Sequence, residues 1–128
     1  MPDFEETVDP ASVAVLDSVF LQHWEFSLGE EAMPVFIEDL IAEFHRTYAD
    51  KLIEIRLCCT SQARTQLIPL VHYVKGSLGN LGLARASAYA GQAELELRTE
   101  KFSRYQTFAE QLDKHTAQGL RELKKRYR

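Results

Sequence analysis

The stretch Leu67-Ile68-Pro69-Leu70-Val71-His72-Tyr73-Val74-Lys75-Gly76-Ser77-Leu78-Gly79-Asn80-Leu81-Gly82 decides how this chain folds. Each residue of a helix turns it by about 100°, so Leu67, Val71, Val74, Leu78 and Leu81 fall within about 40° of one direction. They form a stripe made for burial. On the same wheel His72 lies about 140° from the stripe, Gly79 about 120°, Lys75 about 80° and Gly76 roughly opposite it. These four residues share a side that faces away from the core. A lone surface histidine ordinarily does nothing, but its neighbours here are unusual. A glycine inside a helix costs about 0.5–1 kcal/mol relative to alanine, and this helix carries Gly76 one turn beyond His72 and Gly79 another turn on. The spacing predicts a face that something approaches closely.

The same period governs the rest of the chain. Residues 1–10 are acidic, end in Asp9-Pro10, and read as a loose leader to a single domain over 11–128, with Pro10 near a helix start. Val13, Leu16, Phe20 and Trp24 give a short first helix that would lie across the end of a bundle. Ser27 and Glu30 have the spacing of a capping box, and Pro34 is tolerable only near a helix start. Met33, Ile37, Leu40, Phe44, Tyr48, Leu52 and Ile55 then repeat as one stripe, so a long helix is expected over residues 29–58. Thr60 and Ser61 are the expected caps of the helix that holds His72, which ends in a tight turn at Gly79 to Gly82. A proline at 69 should kink that helix or mark a late start of its regular part. Leu83, Ala86, Ala90, Ala93 and Leu97 form a fourth helical stripe whose small residues allow close packing. Phe102, Tyr105, Phe108, Leu112, Thr116, Leu120 and Leu123 form a fifth. No segment alternates with period two and no internal repeat is visible. The expected fold class is all-α: an up-down antiparallel four-helix bundle with a short additional N-terminal helix.

Composition narrows the function classes. With 15 Lys and Arg against 19 Asp and Glu, the formal charge is −4, which argues against a nucleic-acid footprint and for protein partners. Gly79-Asn80-Leu81-Gly82 matches the GxxG of KH modules, but those need three strands. The basic residues Arg121, Lys124, Lys125, Arg126 and Arg128 are more simply a helix C-terminus complementing its dipole. Cys58 and Cys59 are adjacent, poorly placed to bridge each other, and read as small residues near a helix end. No apolar run reaches membrane-spanning length and the acidic start lacks a signal peptide's basic region, so a soluble, cytoplasmic protein is expected. There is no Walker A loop, no HExxH and no Glu three residues before any of His23, His45, His72 or His115, so neither an NTPase nor a di-iron bundle is supported.

His72, Val74, Lys75, Gly76 and Ser77, followed by Gly82, match the run His-x-hydrophobic-Lys-Gly-small with a later Gly. In this run, in length and in helical pattern, residues 12–127 resemble the histidine phosphotransfer (HPt) domains of two-component phosphorelays. The resemblance implies the four-helix bundle already expected. It also implies a phosphorelay intermediate, without kinase activity of its own, that carries a phosphoryl group on His72 between aspartates of receiver domains. Those domains would belong to a hybrid sensor kinase and a response regulator, which supply Mg²⁺, so this chain should hold no tight cofactor or metal. Lys75 would offset phosphoryl charge. Gly76 would let the partner close over the ring, Gly79 would extend the clearing, and Ile68 would add either a docking contact or a core contact. In the family a Gln or Glu on the fourth helix holds the second imidazole nitrogen, a position matched by Glu94 with Gln92 as the rival. Ser77 reads as a packing residue. The short connections suggest a monomer. The alternative is a catalytically silent helical adaptor that binds a receiver or kinase without transfer, but such a protein should lack the His, the Lys or the Gly.

Overall fold

A computed structural model describes residues 9–128 of the chain. The leader expected over 1–10 falls outside them except for Asp9 and Pro10, and Pro10 opens a short 3-10 turn, Pro10–Ser12. Five α-helices follow: α1 Ser18–Leu28, α2 Met33–Thr60, α3 Arg64–Asn80, α4 Ala84–Arg98 and α5 Phe108–Arg126. No strand occurs among the described residues. Helices α2 to α5 pack in sequence order with α2 closing against α5, and the α3–α4 pair is the most extensive. Short turns join α2 to α3 and α3 to α4, so neighbours run antiparallel and enclose one core. Leu67, Val71, Val74, Leu78 and Leu81 are all within it.

Three helix ends share one device. After α3, Leu83 N–H donates to the Leu78 carbonyl at 3.0 Å and Gly82 N–H to Gly79 at 2.9 Å, with Gly82 at φ +73°. This is the Schellman arrangement, which needs a left-handed residue just past the helix. Glycine is favoured there on two counts, since the left-handed backbone suits it and a Cβ would crowd Leu21 Cδ2 of α1 at 3.1 Å. The same pair of bonds closes α2 and α4, but Gln62 at φ +51° and Glu100 at φ +61° occupy the left-handed position. Helix α1 lies over this end of the bundle. Asp17 caps it by accepting from Phe20 N–H at 3.0 Å, while Asp17 N–H donates to the Gly82 carbonyl at 2.8 Å. Glu25 fastens its other end by accepting from Arg126 and from the Tyr127 hydroxyl.

Several boundaries differ from the sequence expectation, each for a local reason. Ser27 is inside α1, which Gly29 ends at φ +86°, and α2 starts at Met33 with Ala32 at its cap, so Ser27 and Glu30 form no capping box. Pro34 does sit in the first turn of α2. Thr60 and Ser61 do not cap α3: their hydroxyls donate back to the Arg56 and Leu57 carbonyls at 3.0 and 3.1 Å, finishing α2 instead. Ala63 precedes α3 with no side-chain cap. In α2 Leu40 and Leu52 are only half-buried, while Ile41 and Cys59 complete the buried face. The fifth stripe is not one helix, because Phe102 and Tyr105 belong to the connection before α5 and stack edge to face, with Phe102 also against Phe108. Pro69 neither delays nor divides α3, whose helix runs unbroken from Arg64 past it. Pro69 and Thr65 are both exposed, so the carbonyl that loses its amide partner faces water.

Candidate functional site

The face of α3 that turns away from the core carries His72, and the close approach of α4 decides what the ring meets. Ala86, Ala90 and Ala93 are buried along α4 with no side chain beyond Cβ, so the two helices come close together. Ser87 of α4 donates its hydroxyl to the Lys75 carbonyl at 3.1 Å, which pins the α3 backbone one turn from His72. At the other end of the pair Arg64 Nη1 donates to the Leu97 carbonyl at 2.8 Å.

Glu94 comes up between these ties. Its side chain is 9% exposed while that of His72 is 65% exposed, and His72 Nδ1 lies 2.9 Å from Glu94 Oε2. The same oxygen accepts from Arg98 Nε at 2.9 Å and meets Arg98 Nη2 at 2.8 Å. Lys75 Nζ stands 3.6 Å from Oε1, which is buried and accepts no hydrogen bond. Burial pushes the Glu94 carboxyl up, but hydrogen bonds from Arg98 and His72, with the charges of His72 and Lys75, bring it below the ordinary carboxylate range. It is therefore ionised at neutral pH. An ionised carboxylate only accepts, so the proton of the neutral ring is on Nδ1 and the lone pair of Nε2 is left for solvent.

Gly76 leaves open space, with no atom within 4 Å of where its Cβ would stand. Gly91 of α4 faces the lysine stem: a Cβ there would stand in ordinary contact with Lys75 Cε, at 3.6 Å. Lys75, Gly79, Gly82, Ala84, Ser87, Ala88 and Gly91 line a shallow hollow beside the site with Asp17.

The structure thus brings His72, Lys75, Gly76 and Glu94 into one place. Gln92, the rival for the ring, donates to Glu96 instead at 3.1 Å. Gly79 is less open than Gly76: it is half-buried, and a Cβ on it would touch Ser87 Oγ at 3.5 Å. Ile68 is half-buried against the core. Ser77 donates to the Tyr73 carbonyl at 3.2 Å and takes no part in the cluster. Sequence reasoning missed Arg98, Ser87 and Gly91. The first was visible as a Glu and an Arg four apart on one helix, while the other two depend on the facing of α3 and α4.

No family model matches the sequence, and no curated protein matches it. Among solved structures, the crystal structure of histidine-containing phosphotransfer protein B from Pseudomonas aeruginosa PAO1 superposes with a TM-score of 0.66 at 20% identity, covering 89% of this chain and 97% of that one. The chain has the histidine phosphotransfer fold. The HPt bundle implied by the motif around His72 is therefore the observed architecture, with α2 to α5 as its four helices. No helix among the described residues is long and apolar enough to cross a membrane, and no three His, Cys, Asp or Glu side chains among them form a metal cluster.

Proposed function

We propose that this protein is a cytoplasmic phosphorelay carrier that takes a phosphoryl group from an aspartyl phosphate of one receiver domain onto Nε2 of His72 and passes it to the aspartate of another. The observation that carries this reading is the divided environment of one imidazole, its Nδ1 held by the buried, ionised Glu94 while the ring is otherwise largely exposed, one helical turn from the open space at Gly76. In the forward step the Nε2 lone pair attacks phosphorus, an N–P bond forms, and the acyl P–O bond breaks with its electrons going to the aspartate carboxylate. The ring becomes a phosphorylated imidazolium that still holds its proton on Nδ1, and Glu94 balances that positive charge at hydrogen-bond distance. Return of the electron pair to Nε2 reverses the step when the second aspartate attacks. Lys75 adds a movable cation for the phosphoryl oxygens, which matters because such transfers rely on positioning and charge more than on covalent help. The partner receiver domain supplies Mg²⁺ and the acidic pocket.

The test is incubation of a phosphorylated receiver domain with Mg²⁺ and this protein. Label should move to the wild type as an acid-labile, base-stable adduct, and His72→Gln should abolish transfer with the helical spectrum unchanged. Undiminished labelling of that variant would refute the reading.

A further inference from the structure

The contacts of Glu94 raise a question that phosphotransfer alone does not answer. Two full cations and the His72 ring converge on one buried carboxylate, yet a helical glutamate and a lysine on the facing helix would already make a pair. Arg98 is on the last turn of α4, where the helix dipole favours a cation, and reaches back four residues to Glu94. It places two nitrogens on Oε2, the oxygen that also serves His72, and leaves Oε1 to Lys75 alone at 3.6 Å. The strong contact and the weak one therefore go to different oxygens.

We propose that Arg98 is a positioning residue that holds Glu94 on His72 Nδ1 and thereby leaves Lys75 free to move from Glu94 to the incoming phosphoryl group. This inference rests on the phosphotransfer reading. Before the reaction Glu94 and Arg98 cancel, and Lys75 leaves the site with one net positive charge. A phosphoryl group brings about two negative charges, so Lys75 has more to gain on its oxygens than on the crowded carboxylate. Its departure is tolerable only because Arg98 stays. A buried carboxylate stripped of its cation is strongly unfavourable, and without Arg98 the Lys75 ammonium would be held back to satisfy it. Glu94 would also be free to turn toward Lys75, and the ring would lose the acceptor that fixes its tautomer. Two donors from one planar guanidinium hold Oε2 in place more firmly than a single ammonium contact would.

Two measurements separate this role from simple helix stabilisation. The first needs no phosphate: nitrogen-15 correlation spectra of the His72 ring. Wild type should show one tautomer with Nδ1 protonated, and Arg98→Met should show averaged ring nitrogens, with Arg98→Lys between them. The second is a double-mutant cycle on transfer from a phosphorylated receiver domain. Arg98→Met should slow transfer about tenfold, the size typical of losing a group that orients an imidazole through its carboxylate. In the Lys75→Ala background, where there is no lysine to release, the same substitution should cost only about twofold, the part due to the ring. An Arg98→Met ring spectrum identical to wild type, or rate losses that simply multiply, would overturn the inference. If wild type accepted no phosphate while the ring spectra changed as expected, the phosphotransfer reading would fail and the hold on Glu94 would stand.

Discussion

Gly76 allows stability and function to be pulled in opposite directions at one position. It is helical and exposed, and a Cβ built on it meets nothing within 4 Å. Alanine there should recover the full helix-propensity difference, about 1 kcal/mol, with no packing cost to set against it. For a domain of this size that raises the melting temperature by roughly 3–5 °C. Glutamine should recover about half as much, because its propensity falls between those of alanine and glycine. Transfer should move the other way. A glutamine side chain stands where a receiver domain must close over His72, and a displacement of the reacting atoms by about 1 Å costs on the order of a hundredfold in rate. Gly119 supplies the contrast: a Cβ there lies 3.0 Å from Cδ2 of fully buried Leu83, so Gly119→Ala should destabilise, as overpacking of about 1–3 kcal/mol outweighs the propensity gain. Thermal melts by circular dichroism and label transfer from a phosphorylated receiver domain measure both quantities on the same samples. A Gly76→Gln protein that melts higher and still transfers at the wild-type rate would refute the idea that Gly76 is kept bare for a partner.

Lys75→Ala should slow transfer about tenfold without abolishing it, the worth of one charge-assisted contact to the phosphoryl oxygens, and an unchanged rate would remove Lys75 from the mechanism. Stability should fall on acidification in two windows. His115 packs on Tyr89 with ring centroids 4.9 Å apart, and burial followed by the Arg85 charge lowers its pKa, so its contribution is complete above the ordinary imidazole value near 6.5 and is lost as pH falls through the depressed folded value. Glu94 is also depressed, so its contribution is present above the ordinary carboxylate range and is lost as pH falls through its lower folded value. Urea midpoints measured from pH 7 to pH 3 should decline in both windows, and Glu94→Gln should lessen only the lower one, where Glu25, likewise depressed by its bonds from Tyr127 and Arg126, still contributes.

The helical stripes were legible because each buried face repeats every three or four residues, and the core kept that period through α3, α4 and α5. What the sequence concealed were the ends. Helices α2 and α4 close through Gln62 and Glu100, residues that carry no stop signal, because the Schellman bonds need a left-handed backbone and not glycine as such. The glycine rule found the third such end, at Gly82, and was silent on the other two. Thr60 and Ser61 misled for a related reason. Hydroxyls that cap a following helix can equally bond back to the helix they end, and the choice depends on where the chain turns.

The site was legible along α3 and less so across to α4. Spacing on one helix puts His72, Lys75 and Gly76 on one face whatever surrounds them, but which carboxylate reaches the ring depends on the distance between two helices. That distance is set by residues with no chemistry of their own. Ala90 and Ala93 are fully buried with no side chain beyond Cβ, and they bring α4 near enough for Glu94 to touch Nδ1 from below the surface. Gln92 lies only two residues away, yet it turns to Glu96 on its own helix. Two residues along a helix is about 200° of rotation, so when one of the pair points at His72 the other cannot. The rivalry between Glu94 and Gln92 was therefore a question about the rotation of α4, and the alanine face that α4 buries answers it: Ala86, Ala90, Ala93 and Leu97 fix the direction of the core, and Glu94, next to Ala93 at its edge, is carried toward α3.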